Sequence, residues 1–401
     1  MLWARWIIYG IPAALAALTA WSAHQAAANR AARGAVCGIY PITPQTEIVE
    51  YVARFPFTKG RVVPVESEHS AMGVCIGAAL NGARAFTASS SNGLAYMAEN
   101  VMVAAFYRLP IVMAAVNRTL GPPWNIWADQ GDTLMFRDFA WLQFYCDSNQ
   151  DVADTALLAF RLAEDPRILL PVMVCMDAFI VSHTAMEVEL ATQEQVDRYL
   201  PPCVVPHRID ERHPVTIGGM ALPQDTLSQR LELDEAMRRV PAVLEEHRAA
   251  FREVFGREVG GAVEAYRTED AERICIASGT VATTLRDVVD ECRARGERVG
   301  MLRIKLFRPF PRRELRELCA GAQKIAVLDR NYAAGTGGIF CQEVRAALQE
   351  WHGAGGNGPL VQGYLTGVGG GDVVPPMVRE VVADLARREA AGEPLWMGIE
   401  A

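Results

Sequence analysis

Three polar residues stand where apolar runs of the sequence end, and their side chains are of types that bind the polar groups of a ligand. They are Thr43, Glu68 and Arg118, which carry a hydroxyl, a carboxylate and a guanidinium. Loops that leave the carboxyl ends of parallel strands hold the ligand groups of α/β proteins. The three residues form a site only if the surrounding elements bring those strand ends together.

Thr43 lies in the string "YPITP", between Pro41 and Pro44. Pro44 biases the backbone of Thr43 toward an extended conformation, and the two prolines stiffen the loop. A hydroxyl and neighbouring amides held in this way could bind a carboxylate. The alternative is a stiff turn without a ligand, and the motif alone leaves both interpretations open.

Glu68 lies in "VESEHSAMGVCIGAAL", where a strand passes into an apolar, glycine-containing helix. A carboxylate beside such a helix is expected to be partly buried, and a buried charge needs a reason. The alternative is a first-turn carboxylate that complements the helix dipole. We favour the functional interpretation.

Arg118 ends the buried run of "AAVNRTLGPPWNIWADQGD" and precedes a Gly-Pro-Pro loop. A guanidinium at the end of a buried strand needs a planar acidic partner. A substrate carboxylate would suit it, and Asp129 or Asp132 could serve instead.

Other loops give weaker signals. Ser89, Ser90 and Ser91 are good helix N-caps, which would explain at least one of them. The strings "DRNYAAGTGGIF" and "GYLTGVGGGDVV" follow strands and could hold phosphates. Neither has the GxGxxG spacing and the later acidic residue of a dinucleotide site.

Short apolar runs alternate with helical patterns from residue 35 onward, which predicts an α/β fold with parallel sheets. Runs such as "AVCGIYP", "RVVPVES" and "PIVMAAVNR" are typical of strands buried on both faces. The alternation stops between about 187 and 269, where a Pro-rich stretch and a long charged helix lie, and it then resumes in a smaller block. We therefore expect a first domain over 1–230, a helical connector over 231–268 and a second domain over 269–401.

The composition excludes several classes of function. A net charge of -8 disfavours nucleic acid as the main partner. The nine cysteines include no CxxC pair, so we expect neither a zinc site nor an iron–sulfur cluster, and no metal site, in this chain. Scattered single cysteines are typical of buried thiols in a reducing compartment, which predicts the cytoplasm.

The first 30 residues allow two interpretations. An early arginine, an apolar run and small residues imitate a secretory signal, although the run is short for a membrane span. We favour a buried, alanine-rich helix that starts near Pro12.

Several longer strings, taken together, resemble the alpha subunits of the 2-oxoacid:ferredoxin oxidoreductase family, and pyruvate:ferredoxin oxidoreductase (pyruvate synthase) in particular. They are "YPITPQTEIVE", "SEHSAMGVCIGAALNGARAFTASSSNGLAYMAE", "NRTLGPPWNIWADQGDTLMFRDFAWLQFY", "EDPRILLPVMVCMDAF", "YRTEDAE", "LRIKLFRPFP" and "GGGDV". They occur in the order found in the family and cover the chain from about residue 37 to its end.

The resemblance implies a thiamine-diphosphate-binding-type (pyrimidine) domain followed by a smaller domain like the C-terminal domain of transketolase. It implies oxidative cleavage of a 2-oxoacid with thiamine diphosphate, coenzyme A and ferredoxin. Glu68 would face the aminopyrimidine of the coenzyme, and Thr43 and Arg118 would hold the carboxylate of the 2-oxoacid.

The Gly-Asp-Gly motif with which such enzymes hold diphosphate and Mg²⁺ is absent from this sequence. The resemblance therefore implies a coenzyme site shared with a thiamine-diphosphate- and Mg-binding beta subunit. Iron–sulfur and gamma subunits would carry the electrons, so the chain would be active only in a complex in the cytoplasm, without a membrane or nucleic acid as partner.

Three departures from the usual family pattern leave alternatives open. They are "GIPAA" at 10–14, "WADQGD" in the loop after Arg118, and Ala178 where glycine is usual. The same chemistry on another 2-oxoacid, such as 2-oxoglutarate or a branched-chain acid, is one alternative. A non-catalytic scaffold paralogue is the other.

Overall fold

The computed structural model describes residues 14–29, 34–55, 57, 59–349 and 358–399. The predicted helix start at Pro12 lies outside the described residues. The strands are β1 (Ala35–Ile39), β2 (Gly60–Pro64), β3 (Arg84–Ser89), β4 (Ile111–Asn117), β5 (Leu142–Cys146), β6 (Val172–Asp177), β7 (Val263–Tyr266), β8 (Arg273–Ala277), β9 (Val299–Ile304), β10 (Leu306–Arg308), β11 (Lys324–Asp329), β12 (Leu360–Leu365) and β13 (Leu395–Trp396).

Helices connect most of these strands. They are α1 (Ala14–Ala28), α2 (Thr46–Arg54), α3 (Glu68–Leu80), α4 (Ser91–Tyr96), α5 (Ala98–Phe106), α6 (Gly131–Leu134), α7 (Asn149–Ala163), α8 (Gln193–Tyr199), α9 (Pro223–Phe255), α10 (Val281–Ala294), α11 (Arg312–Leu318), α12 (Ile339–Gln349) and α13 (Pro375–Arg387). Within the described residues, none of them is both long and apolar enough to span a bilayer.

The first sheet has seven strands in the order β10-β5-β6-β4-β3-β1-β2. All neighbouring strands in it are parallel except β10 and β5. Strands β4 and β6 are buried along their whole length, which agrees with their unbroken apolar sequences. Strand β2 lies at the edge and is partly exposed, so the prediction that its run is buried on both faces was wrong.

The second sheet has six strands in the order β13-β12-β11-β8-β9-β7, parallel except for the pair β7 and β9. Two mostly parallel sheets with interleaved helices confirm the predicted α/β class. The run "RVGMLRIKLF" is not one strand: β9 belongs to the second sheet, and β10 crosses over to pair with β5 of the first.

The two sheets share an apolar core. One cluster of buried side chains includes Met113 and Met173 from the first sheet together with Ile276, Leu302 and Val327 from the second. Because this surface would be exposed if the sheets separated, its burial stabilises their relative position.

A second cluster lies on the other face of the first sheet and contains buried side chains of α1, α2, α7 and α9. Helix α1 packs there through residues such as Ala20, Ala23 and Ala26, as expected for an alanine-rich core helix. The connecting helix α9 has Pro223 in its first turn and ends at Gly256, whose φ of 72° is left-handed.

Candidate functional site

The candidate site lies at the carboxyl ends of the first sheet's strands. Strand β1 pairs with β2 on one side and β3 on the other, so the chain reverses its direction of progress across the sheet at β1. In open α/β sheets, ligands bind in the crevice outside the strand ends at such a reversal. The loop of Thr43 follows β1, and the loop of Arg118 follows β4.

Glu68 is the first residue of α3, at the position where the chain turns from β2 into the helix. Ser67 caps the helix by accepting a hydrogen bond from the backbone N–H of Ser70 at 3.2 Å. Glu68 is only 7% exposed. Burial raises the pKa of the Glu68 carboxyl above its ordinary value.

The Glu68 carboxylate lies against a glycine and an unpaired hydroxyl. A Cβ on Gly93 would come within 2.5 Å of Glu68 Oε1 and within 2.7 Å of Ser89 Oγ. Ser89 Oγ is buried without a hydrogen-bond partner, and among the described residues only the backbone N–H of Glu68 itself bonds to the Glu68 carboxylate. The residues therefore fit a ligand that brings its own N–H donor to a buried acceptor.

Arg118 uses only part of its guanidinium within the chain. Its Nη1 donates to the backbone carbonyl of Thr43 at 2.7 Å, and its Nε donates to the carbonyl of Asn125 at 2.9 Å. The described residues leave Nη2 without a hydrogen bond and the guanidinium without an ion pair. Burial lowers the pKa of Arg118, and the nearby Asp132 opposes that effect.

The structure thus brings Thr43 and Arg118 together. Thr43 is exposed, and Gln45 closes its loop by donating from its side chain to the carbonyl of Tyr40 at 2.8 Å. No described residue forms a hydrogen bond with the hydroxyl of Thr43, which leaves it and Arg118 Nη2 available to one ligand. A carboxylate is the ligand group that such a pair of donors suits.

Asp132 organises the strand ends, a role that the sequence analysis missed. Its Oδ2 accepts the backbone N–H groups of Ser91 and Arg118, each at 2.9 Å, and its Oδ1 accepts from Asn117 Nδ2 at 2.8 Å. Burial raises the pKa of Asp132 to about 7 in spite of these bonds. The alternative that Asp129 or Asp132 pairs with the guanidinium of Arg118 was wrong, since Asp132 binds its backbone instead.

The three serines act differently from simple N-caps. Ser90 occupies the N-cap position of α4 but makes no cap bond with its side chain, and its hydroxyl donates to the carbonyl of Val116 at 2.6 Å. Ser91, with a φ of 48°, donates to the carbonyl of Thr119 at 2.5 Å. These bonds join the loop after β3 to the loop after β4.

Within the described residues, no group of three or more His, Cys, Asp or Glu side chains is placed so that it could hold a metal ion. The nine cysteines are all buried.

Two mostly parallel sheets with interleaved helices, and a buried acidic side chain at a strand-to-helix junction of the first, place the chain among the two-sheet α/β proteins. The family model described as "Pyruvate flavodoxin/ferredoxin oxidoreductase, thiamine diP-bdg" matches residues 27–249. A second model, "Pyruvate:ferredoxin oxidoreductase core domain II", matches residues 271–378. The chain belongs to the pyruvate flavodoxin/ferredoxin oxidoreductase family and is an oxidoreductase subunit.

Relatives of known name cover nearly the whole chain. Pyruvate synthase subunit PorA of Methanothermobacter thermautotrophicus is 42% identical over 94% of this chain and 97% of its own length. The PorA subunit of Thermotoga maritima is 43% identical over 91% of this chain and 93% of its own length. Ketoisovalerate oxidoreductase subunit VorA of Pyrococcus abyssi is 40% identical over 90% of this chain and 91% of its own length.

Solved structures share the fold at low sequence identity. A 2-oxoglutarate:ferredoxin oxidoreductase from Magnetococcus marinus, solved with 2-oxoglutarate, coenzyme A and succinyl-CoA bound, superposes with a TM-score of 0.67 at 18% identity. That match covers 93% of this chain and 65% of the other. An inactive beta4 tetramer of a split-gene transketolase matches 93% of this chain and 96% of its own with a TM-score of 0.55 at 13% identity.

Proposed function

We propose that this chain is the alpha subunit of a pyruvate synthase. The reaction converts pyruvate, coenzyme A and two oxidised ferredoxins into acetyl-CoA, carbon dioxide, a proton and two reduced ferredoxins, and it is reversible. The observation that carries the proposal is the Glu68 carboxylate, which is buried against Gly93 and receives no hydrogen bond from any other described residue.

Glu68 accepts a hydrogen bond from the aminopyrimidine ring of thiamine diphosphate in this proposal. When bound, the coenzyme would supply a nucleophilic carbon for the keto group and an electron sink for the cleaved bond. Glu68 holds the proton at the pyrimidine ring nitrogen, and burial, which raises the pKa of its carboxyl, strengthens its hold on that proton.

Arg118 and Thr43 bind the carboxylate of the 2-oxoacid. Arg118 Nη2 supplies a charge-assisted hydrogen bond, and the Thr43 hydroxyl supplies a shorter neutral contact. Because the Thr43 carbonyl accepts from Arg118 Nη1, both donors are held at one edge of the crevice. Their contribution to the rate is orientation of the substrate.

Partner subunits complete the enzyme. The sequence lacks the Gly-Asp-Gly motif, so the diphosphate and Mg²⁺ are held by a beta subunit while the first domain, 1–230, receives the pyrimidine end of the coenzyme. Iron–sulfur clusters lie in ferredoxin-like and gamma subunits, and ferredoxin is the electron acceptor. The nine buried thiols suit a reducing compartment, and we assign the complex to the cytoplasm.

A second candidate is the same chemistry on another 2-oxoacid. The VorA relatives, at 40% identity, favour a branched-chain acid as that alternative. Assays of one preparation with pyruvate, 2-oxoisovalerate, 2-oxoglutarate and 2-oxobutyrate separate the two, because the preferred acid has the highest kcat/KM.

The experiment that tests the proposal is coexpression of this chain with its partner subunits and an assay of oxoacid-dependent ferredoxin reduction. We expect wild-type activity with pyruvate and a loss of at least about 100-fold in kcat for Glu68→Gln, with subunit composition unchanged. Normal turnover of the Glu68→Gln complex would end the assignment and support a scaffold role. Glu66→Gln, which changes an exposed carboxylate two residues away, is the matched control.

A further inference from the structure

We propose that Asn125 is a positioning residue through which the second domain holds the substrate-binding arginine in place. The turn Gly367–Gly371, called here the glycine turn, would then be part of the substrate site although it belongs to the other sheet. This inference rests on the proposed role of Arg118 and goes beyond it, because it gives the second domain a part in substrate binding.

Asn125 joins the arginine to the glycine turn by two hydrogen bonds. Its backbone carbonyl accepts from Arg118 Nε at 2.9 Å. Its side-chain Nδ2 donates to the carbonyl of Gly369 at 2.7 Å, across 244 residues of sequence. One residue therefore contacts the guanidinium on one side and the second domain on the other.

Internal hydrogen bonds close the loop that carries Asn125, and a second hydrogen bond joins this loop to Gly369. The backbone N–H of Thr119 donates to the carbonyl of Trp127 at 3.0 Å, and Asn125 Oδ1 accepts from the N–H of Trp127 at 2.8 Å. Asp129 Oδ2 accepts from the N–H of Gly369 at 2.9 Å. Both polar groups of Gly369 are thus bonded to the loop that follows Arg118.

The glycine turn has a shape that requires glycine. Gly369 and Gly370 have φ angles of 70° and 92°, a region that other residues rarely adopt. A Cβ on Gly370 would come within 2.0 Å of Trp127 Cβ, so a side chain there would push the loop away. The string "GVGGGD" therefore allows the close approach that the hydrogen bonds of Gly369 need.

Two segments of the chain therefore hold the Arg118 guanidinium, each by one hydrogen bond. Thr43 of the first domain holds Nη1, and Asn125, itself held by the second domain, receives Nε. With both hydrogen bonds present, two of the three guanidinium nitrogens are fixed, which lowers the entropy lost when a carboxylate binds Nη2.

The test is Asn125→Asp in the assembled enzyme, measured as kcat and KM for the preferred 2-oxoacid. The change keeps the size of the side chain and its acceptor for Trp127 but places a carboxylate oxygen against the Gly369 carbonyl. We expect the KM for the 2-oxoacid to rise about tenfold or more, which corresponds to the free energy of about one charge-assisted hydrogen bond. We expect kcat to change less than about threefold, and the concentration of thiamine diphosphate needed for half-activation to stay unchanged.

A matched control and a second variant complete the test. Asn81→Asp alters an asparagine that also donates to a backbone carbonyl, that of Gly77 at 2.7 Å, but lies outside the site, so it should leave KM unchanged. Gly370→Ala places a Cβ against Trp127 in the same loop and should raise the KM for the 2-oxoacid, as Asn125→Asp does.

The double variant Arg118→Ala/Asn125→Asp distinguishes a positioning role from a general structural one. If Asn125 acts through Arg118, the second change adds nothing to the KM of Arg118→Ala. Additive effects, or a fall in kcat at unchanged KM for Asn125→Asp, would overturn the inference. If Arg118→Ala itself leaves KM unchanged, the proposed function fails; if only Asn125→Asp does, this inference alone fails.

Discussion

The carboxylate of Asp132 accepts the backbone N–H of Arg118 at 2.9 Å, and the same oxygen accepts the N–H of Ser91. One buried acid thus ties the loop after β3, which leads to Gly93, to the loop after β4, which carries Arg118. These two hydrogen bonds fix the loop of Arg118 relative to the segment that Glu68 contacts at Gly93.

Asp132→Asn should change how stability depends on pH. The pKa of about 7 in the folded chain exceeds the value of about 3.9 for an unfolded aspartate, so the folded chain binds the extra proton between these pH values. This group therefore stabilises the fold more as pH falls from 7 toward 4. The unfolding free energy of the variant, relative to wild type, should rise with pH over that range by a few kcal/mol.

Urea unfolding of the isolated chain between pH 4.5 and 8 measures this difference. Asp138→Asn, whose carboxylate is 74% exposed, is the control and should run parallel to wild type. Asp329, whose pKa burial also raises to about 7, is unchanged in both variants and cancels from the comparison. A flat difference for Asp132→Asn would contradict the assignment of a buried, proton-binding carboxyl.

Glu68→Gln should make the isolated chain more stable at neutral pH while it removes activity. Because burial raises the pKa of Glu68, its ionised form costs stability above the ordinary pKa of glutamate, and the neutral amide avoids that cost. The amide can also donate to the unpaired hydroxyl of Ser89. We expect the Tm at pH 7 to rise by about 1–3 °C, with a smaller gain near pH 4 where the wild-type group is protonated.

Glu66→Gln serves as the comparison, because the pKa of Glu66 is shifted in the opposite direction from that of Glu68. A hydrogen bond from Ser70 lowers the pKa of Glu66, so its ionised form favours the fold, and removing the charge should not raise the Tm. A lower Tm of Glu68→Gln at pH 7 would indicate that Glu68 is a structural helix-start residue instead.

Arg118→Ala should impair substrate binding more than coenzyme binding. The loss of one or two charge-assisted hydrogen bonds, each about 1.5–3 kcal/mol, predicts a rise of at least about tenfold in the KM for the 2-oxoacid. The control is Arg137→Ala, since among the described residues the Arg137 guanidinium reaches only Leu134 O at 3.3 Å and Asp138 at 4.0 Å. An unchanged KM in steady-state kinetics of the Arg118→Ala complex would exclude the carboxylate-binding role.

Arg84→Ala should destabilise the first domain strongly. Arg84 and Glu164 form a buried pair, with bonds of 2.6 Å from Nε and 2.8 Å from Nη2, and their side chains are 1% and 3% exposed. Removing the arginine leaves Glu164 buried without its partner, which costs about 3–5 kcal/mol. The exposed pair Arg54–Glu50 provides the control, because Arg54→Ala should cost less than about 1 kcal/mol in the same urea unfolding experiment. Equal losses of unfolding free energy for Arg84→Ala and Arg54→Ala would contradict a stabilising role of the buried pair.

Much of the site's position follows from local sequence. Unbroken apolar runs predict parallel strands, and the polar residues that end those runs must then share one edge of a sheet, as Thr43 and Arg118 do. The burial of Glu68 follows from the apolar helix that it begins.

Other features depend on contacts between distant parts of the chain. The run "RVGMLRIKLF" is continuously apolar, so nothing in its periodicity indicates that β9 and β10 join different sheets. Arg303 of β9 and the next-but-one residue Lys305 are both buried and form ion pairs with Asp151; burial alone would raise the pKa of that acid, but the two cations hold it below its ordinary value. The bond from Asn125 to Gly369 likewise has no local signal, because each residue alone is typical of a loop.

The most direct test of the central claim is the rate at which the thiazolium C2 proton of bound thiamine diphosphate exchanges with deuterium, measured by NMR after acid quench. The assembled enzyme and its Glu68→Gln variant are compared at equal coenzyme content. If this chain's Glu68 holds the proton of the pyrimidine ring, exchange in the variant is slower by at least about 100-fold. Equal exchange rates in the two complexes would contradict the claim.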